Sequence, residues 1–288
     1  MLYLDASSTR KALPMLDAIE AMEHAFTGDA ETPLRILVGG SLVMPGRLDD
    51  HMAVKVVSIV PGNPAGVVIL FGPDGGPMGL VDGPTLTSIR TGAVCGLATR
   101  LLAPETAATM AMLGAGAMAR DQVEAVRAVR RIQSVLVWSR TEASASALAE
   151  RVGGSVVLDA DQAVAQADVV SCATPSLTPL FSGAAVREGS HVNAVGAFTP
   201  QMAELPPDLL ARAYVVVDDL EAAAAEAGDL LQAGRVPDTA LRDLLSGTNP
   251  VVTGDSTVFK SVGVAAQDVA GAQRALANAR HLGIGVAL

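Results

Sequence analysis

The sequence predicts an α/β protein in which a doubly wound parallel sheet is joined to a smaller α+β domain. Three observations carry this. From Thr109 onward, short apolar runs alternate with helical stretches, which is the rhythm of βαβ units. Before about Leu102, helix and strand signals are mixed without that alternation. Between the two lies "MAMLGAGAMARDQVEAV" (Met110 to Val126), a strand running into a glycine-rich turn and then a helix. A length of 288 residues suits two domains or one large one. The expected division is 1–104 together with 267–288, and 105–266.

In the first domain, "LPMLDAIEAMEHAF" has apolar residues at three- and four-residue spacing and reads as an amphipathic helix. "MAVKVVSIV" and "GVVILF" are β-branched strands separated by the turn-rich "PGNPA", and "MGLVD" is a further short strand. "PTLTSIRTGAVCGLATRLLA" reads as a buried helix with a polar N-terminal half, and Asp82 before it is placed to cap it. In the second domain the strands are "TMAMLG", "SVLVWS", "SVVLD", "ADVVSCAT", "SHVNAVGA" and "AYVVVDD". "ARDQVEAVRAVRR" and "EASASALAERV" are helices between the first of them, and "EAAAAEAGDLLQAG" is assigned as helix on propensity. "VVTGDSTVFKSVG" is strand-like, and "AAQDVAGAQRALANARHL" is a helix.

Half of the residues are hydrophobic and only 3% are aromatic, so a sizeable core must be built from Ala, Val and Leu. A net charge of −10 argues against nucleic acid as a partner, because phosphate binding needs a basic face. The N-terminus lacks a secretory pattern and no apolar run suits a bilayer, so no membrane is expected and a cytoplasmic protein is. Cys95 and Cys172 lie in small or apolar surroundings and read as reduced, buried thiols. The four histidines lack metal-ligand spacing, so no metal is expected. Asp218 and Asp219 end a strand and read as loop charges.

Gly114, Gly116 and Ala119 fit G-x-G-x-x-A in the strand–turn–helix setting that a Rossmann dinucleotide site requires. Gly114 permits the tight turn, Gly116 lets a pyrophosphate approach the backbone, and Ala119 lets helix and strand pack closely. Ala115, Ala117 and Met118 complete the turn, and the helix N-terminus offers N–H groups to the phosphates. After the next strand, NAD-binding folds carry Asp or Glu for the ribose hydroxyls. Here stand Ser139, Arg140 and Thr141, a set that suits a 2′-phosphate and favours NADP(H), with NAD(H) the alternative.

No catalytic cluster stands out in that half, so substrate chemistry is expected from the first domain. Lys55 interrupts the strand "MAVKVVSIV", Arg90 sits among small residues in "LTSIRTGAVCG", and Arg35 follows "ETP" in a loop. A strand lysine is equally consistent with an outward, solvated position. Arginine can grip a carboxylate through its planar fork. Together the three cations point to a small anionic substrate such as an amino or imino acid. Thr91 either bonds a phosphate or caps backbone.

"KVVSIVPGNP", "GLVDGPTLTSIRTGAV", "MLGAGAMA", "ADVVSCAT", "HVNAVGAFTPQMAEL" and "STVFKSVGVAAQD" resemble, in order and over nearly the whole chain, the ornithine cyclodeaminase/μ-crystallin family. The resemblance implies a homodimer whose first domain binds substrate and dimerises. It carries the family's lysine and arginine onto Lys55, as the catalytic residue, and Arg90, and its upstream substrate arginine onto Arg35. It also places Ala173, Thr174, Val195, Ser261 and Gly263 at the cofactor, the last two on the nicotinamide side.

Two departures discriminate within the family. Where its cyclodeaminases carry an acid/base aspartate after "AVG", this sequence has Phe198, and where they carry a glutamate before M-P it has Leu42. Cyclodeamination must oxidise an amine, release ammonia and reduce a ring imine, with protons managed at each step. Reducing a preformed cyclic imine asks less, and "GAFTPQMAEL" resembles the family's Δ1-pyrroline-2-carboxylate and Δ1-piperideine-2-carboxylate reductases. The leading expectation is therefore NADPH-dependent reduction of cyclic ketimine carboxylates to proline or pipecolate, with Phe198 beside the substrate. The alternatives are an NAD-dependent ornithine cyclodeaminase or alanine dehydrogenase, and a non-catalytic protein that binds NADPH or a small ligand.

Overall fold

The structure, a computed structural model, describes residues 1–60, 65–248 and 256–288. It divides into two compact units, Met1–Val94 with Val264–Leu288, and Cys95–Gly263. The turn expected at 61–64 and the first five residues of "VVTGDSTVFKSVG" lie outside the described residues.

The first unit contains β1 (Leu2–Leu4), α1 (Ala6–Ala12), α2 (Met15–Thr27), β2 (Ala30–Glu31), β3 (Ile36–Val38), β4 (Ser41–Leu48), β5 (His51–Ser58), β6 (Gly66–Phe71) and β7 (Pro77–Asp82). Helix α3 (Gly83–Leu102) follows. The unit is completed by the C-terminal helix α11 (Ala265–Leu282) and strand β16 (Val286–Ala287). The strands form one sheet in the order β16-β1-β7-β6-β5-β4-β2, with β3 also paired to β4. All pairings are antiparallel except β1 with β7.

Strand alternation sorts the side chains of this sheet into two faces. On the inner face Lys55 stands in register between buried Met44 and Val68. Helix α11 packs along β4, β5, β6 and β7. The opposite face carries Val43, Val56 and Val67 in one row and Pro45, Val54 and Ile69 in the next, all at least partly exposed. Strand β3 adds Ile36, Leu37 and Val38, each more than half exposed. The Asp82 carboxylate accepts the Thr85 N–H at 2.9 Å at the start of α3, so the expected cap is present. The boundary between Val94 and Cys95 falls within α3.

The second unit contains β8 (Thr109–Leu113), α4 (Ala119–Val129), β9 (Ser134–Trp138), α5 (Glu142–Val152), β10 (Ser155–Val156), α6 (Ala160–Gln166) and β11 (Val169–Cys172). A 3₁₀ turn (Gly183–Ala185), β12 (His191–Ala194), α7 (Pro207–Arg212), β13 (Tyr214–Val217), α8 (Leu220–Glu226) and α9 (Gly228–Ala233) come next. β14 (Thr239–Ala240), α10 (Leu241–Leu245) and β15 (Thr257–Lys260) end it. The sheet order is β10-β9-β8-β11-β12-β15-β13-β14 and every pairing is parallel, a doubly wound Rossmann-type sheet.

"EAAAAEAGDLLQAG" is two helices rather than one. The chain breaks at Ala227, where ψ is 85°, and Gly228 packs so tightly that a Cβ would lie 2.1 Å from the Met202 carbonyl. Inside the unit a buried polar chain links Thr257, His191, Asn193 and Thr99 through contacts of 2.9, 3.1 and 3.0 Å. Burial is the main reason that His191 titrates at about 4, so its ring is neutral at neutral pH.

Candidate active site

The glycine-rich turn of the second unit sits where the sheet reverses its winding. From β8 the chain proceeds outward to β9 and β10, then returns to place β11 on the other side of β8. The crevice at such a point is where open α/β sheets bind ligands. Gly114 has φ of +104°, and a Cβ there would lie 2.8 Å from the Ala173 carbonyl, so both conformation and close approach require glycine. At Gly116 a Cβ would meet nothing within 4 Å. That glycine is not demanded by packing within the protein, and the open space suits an approaching phosphate. Helix α4 begins at Ala119 with Met118 as N-cap, which makes no side-chain capping bond, and the positive end of the helix dipole faces the glycine turn. These features fit a dinucleotide.

Gly114 N–H donates to the Trp138 carbonyl at 2.9 Å, which ties the turn, with Ala115 and Ala117, to the end of β9. Ser139, Arg140 and Thr141 follow directly. Arg140 is exposed, Ser139 is half-buried, and Thr141 is the N-cap of α5 without using its hydroxyl to cap.

The loops after β11 and β12 are held by a carboxylate that motif reasoning missed. Glu204 is fully buried. One of its oxygens accepts from Thr174 N–H and Oγ1 (2.6 and 2.9 Å), and the other from Gly196 and Ala197 N–H (2.7 and 3.1 Å). Lys260 donates to the Ala197 carbonyl at 2.5 Å and pairs with Asp229 at 2.7 Å, and Asp229 in turn accepts the N–H of Glu204 and Leu205. Burial pushes the Glu204 carboxyl up from its ordinary value, while the Lys260 charge and the Thr174 N–H oppose this. At Gly196 a Cβ would lie 2.1 Å from the Thr174 carbonyl, so the two loops touch through their backbones. Ala173, Thr174 and Val195 therefore lie together, and half-buried Phe198 follows directly on the clamped segment. The Thr174 hydroxyl is engaged by Glu204.

Asp218 corrects a further expectation. It is buried, and one carboxylate oxygen accepts from Ser261 Oγ and from the N–H of Val262 and Gly263 at 2.7, 3.1 and 2.6 Å. It shapes the 261–263 loop, while Asp219 caps α8 through the Ala222 N–H. Neither is a free loop charge.

In the first unit, three elements bring charged groups together. Lys55 on β5 is 2% exposed and its Nζ lies 2.6 Å from Asp268 Oδ2. Arg90 on α3 places Nε 3.3 Å from Asp268 Oδ1 and donates from Nη1 to Gln267 Oε1 at 2.6 Å. Asp268 and Gln267 both come from the first turn of α11. Half-buried Arg35, in the loop before β3, is near enough for its charge to act on Lys55. The Lys55 pKa is lowered to about 8: burial is the main cause, Asp268 opposes it, and the charges of Arg90 and Arg35 add to the lowering. Thr91 is buried beside Arg90 in sequence. Asp268 and Lys260 carried one legible signal, a charge inside the small or apolar runs "AAQDVAGA" and "TVFKSVG". Glu204 carried none.

Among the described residues no group of three His, Cys, Asp or Glu side chains could hold a metal ion, and no helix is long and apolar enough to cross a membrane.

Residues 5–281 match the family described as "Ornithine cyclodeaminase/mu-crystallin family". A Δ1-pyrroline-2-carboxylate reductase of Bacillus cereus is 34% identical, over 99% of this chain and 98% of its own. Thermococcus litoralis Δ1-pyrroline-2-carboxylate reductase, solved in complex with NADH and L-proline, superposes with a TM-score of 0.93 at 31% identity, covering 100% of both chains. An archaeal alanine dehydrogenase dimer with bound NAD gives 0.91 at 29% identity, covering 99% of this chain and 98% of that one.

Proposed function

As this chain belongs to the ornithine cyclodeaminase/mu-crystallin family, we propose that it is an NADPH-dependent oxidoreductase of C=N bonds. Its substrates are cyclic ketimine carboxylates, Δ1-pyrroline-2-carboxylate or Δ1-piperideine-2-carboxylate, reduced to proline or pipecolate. The observation that carries this reading is Lys55, a buried lysine with a pKa of about 8 beside Arg90. Arg90 and Arg35 bind the substrate carboxylate, and Lys55 gives its proton to the ring nitrogen, so that the imine is electrophilic when hydride arrives at C2. The bound cofactor supplies that hydride. The glycine turn from Gly114 to Ala119 holds the pyrophosphate, and Ser139, Arg140 and Thr141 hold the 2′-phosphate. Ala173, Thr174 and Val195 contact the cofactor, Ser261 and Gly263 lie on its nicotinamide side, and Thr91 bonds a phosphate. Phe198, an apolar ring beside the substrate, stands where the cyclodeaminases carry a carboxylate, so ammonia release from ornithine lacks its acid/base group.

The working form is a homodimer in the cytoplasm, built through the apolar outer face of the first unit's sheet. The deciding experiment offers the purified protein NADPH or NADH with Δ1-pyrroline-2-carboxylate, Δ1-piperideine-2-carboxylate, ornithine, or pyruvate plus ammonia. Imine-dependent NADPH oxidation without ammonia release from ornithine supports the reading. Ammonia release at a matching rate makes the protein a cyclodeaminase. Turnover of pyruvate and ammonia alone makes it an alanine dehydrogenase, a reading favoured by its likeness to the archaeal enzyme.

A further inference from the structure

Asp268 occupies a position that the proposed reaction does not use directly, yet it touches both cations that the reaction needs. Its two oxygens are divided between Lys55 Nζ, at 2.6 Å, and Arg90 Nε, at 3.3 Å. It is 1% exposed, and Lys55 and Arg90 are 2% and 5% exposed. Two cations this deeply buried repel each other and lose hydration, and only a carboxylate between them makes the arrangement tolerable. The neighbouring Gln267 completes the clamp. A guanidinium only donates, so Gln267 must present its Oε1 to Arg90 Nη1, while Nε lies in ion-pair range of Asp268.

We propose that Asp268 is a positioning residue that keeps Lys55 an ammonium ready to donate and fixes the plane in which Arg90 meets the substrate carboxylate. This rests on the reading of Lys55 as proton donor. The charged groups facing Lys55 are Asp268 from α11, Arg90 from α3 and Arg35 from the loop before β3. Burial and both arginines favour the neutral amine, and Asp268 alone favours the ammonium. Without that charge, Lys55 loses its proton at lower pH. A carboxylate that merely stabilised the fold would not set the pH at which turnover fails.

The test is the pH profile of kcat/KM for Δ1-pyrroline-2-carboxylate at saturating NADPH, in the unmodified protein, Asp268→Asn and Asp268→Glu. NADPH binding and thermal unfolding are measured on each. Asp268→Asn should bind NADPH but lose activity on raising the pH at least one unit earlier than the unmodified protein, a loss of about tenfold at pH 8 that lowering the pH reverses. A limb that belongs to the imine itself would stay in place in every variant. A folded Asp268→Asn with an unmoved limb overturns the proposal. Should Asp268→Asn not fold, Asp268→Glu decides. It keeps the charge but displaces it, so kcat should fall while the KM for NADPH holds, and unchanged kcat overturns the proposal. Absence of imine reduction by the unmodified protein would instead sink the functional reading beneath it.

Discussion

The Glu204 carboxylate receives the Gly196 N–H at 2.7 Å from one oxygen while its other oxygen receives the Thr174 N–H at 2.6 Å. One side chain thus locks together the backbones that follow two neighbouring parallel strands. Each carboxylate oxygen takes two donors, so an amide in its place must point an N–H at other N–H groups. Glu204→Gln should therefore lose about 1–3 kcal/mol of stability, the cost of an unsatisfied buried group. It should also weaken NADPH binding about tenfold. Thermal unfolding and fluorescence titration with NADPH check both, and an unchanged dissociation constant would confine Glu204 to a structural role.

Lys55 is expected to set the pH dependence of the reaction. Its pKa is lowered to about 8, so the protonated donor falls away above that pH. Reduction of the imine should drop about tenfold per pH unit above pH 8. Oxidation of L-proline, which needs the neutral amine, should rise through the same range. Lys55→Met should cut kcat by at least about a hundredfold, in line with losing a general acid, and leave NADPH affinity intact. Matching losses of kcat and NADPH affinity would instead mean a collapsed site.

Arg90→Lys should not rescue substrate binding, because a point charge cannot replace a planar fork that donates to Gln267 and lies in ion-pair range of Asp268. We expect the KM for the imine to rise by about one to two decades, as for a lost charge-assisted pair. Near-normal kcat/KM would make the arginine structural.

Arg140 is expected to choose the cofactor. It is exposed at the end of β9, beside the turn. A contact to the 2′-phosphate contributes about 1.5–3 kcal/mol, so Arg140→Ala should raise the KM for NADPH by about one to two decades and spare NADH. Equal losses with both cofactors would remove this role.

His191 predicts an acid-labile fold. Its folded pKa of about 4 lies below the ordinary 6.5, so the unfolded chain takes up a proton first as the pH falls. Stability that is complete above pH 6.5 is lost progressively toward pH 4, by about 3 kcal/mol in total. Denaturant unfolding at a series of pH values should show this slope in the unmodified protein and a flatter one in His191→Gln. Parallel slopes would assign the acid sensitivity elsewhere.

The outer face of the first unit's sheet is expected to close against a second copy. Ile69 lies mid-face in register with Val54 and Leu80. Ile69→Asp should shift sedimentation from dimer to monomer, and a monomeric unmodified protein would refute the assembly.

The strand–turn–helix at Gly114–Ala119 was legible in the sequence because its requirements are local: a positive φ, a small residue, and a helix starting at a fixed offset. The alternation of strands and helices after Thr109 was legible for the same reason, since periodicity is written in neighbouring residues. Lys55 and Arg90 announced themselves as charges in apolar stretches, but which face of β5 Lys55 takes was left open. That was decided by α11, which packs on the inner face of the sheet and brings Asp268 from the far end of the chain. Glu204, Asp229 and Asp218 each read along the chain as an ordinary acid near a helix or a turn, and Asp268 showed only as a charge in a small-residue run. Their partners are contributed by elements distant in sequence, and a buried carboxylate acquires its role only from the donors that packing places around it. Local chemistry in the sequence thus determined the elements and the reactive side chains, and the tertiary structure alone decided which charges neutralise one another and which loops they hold.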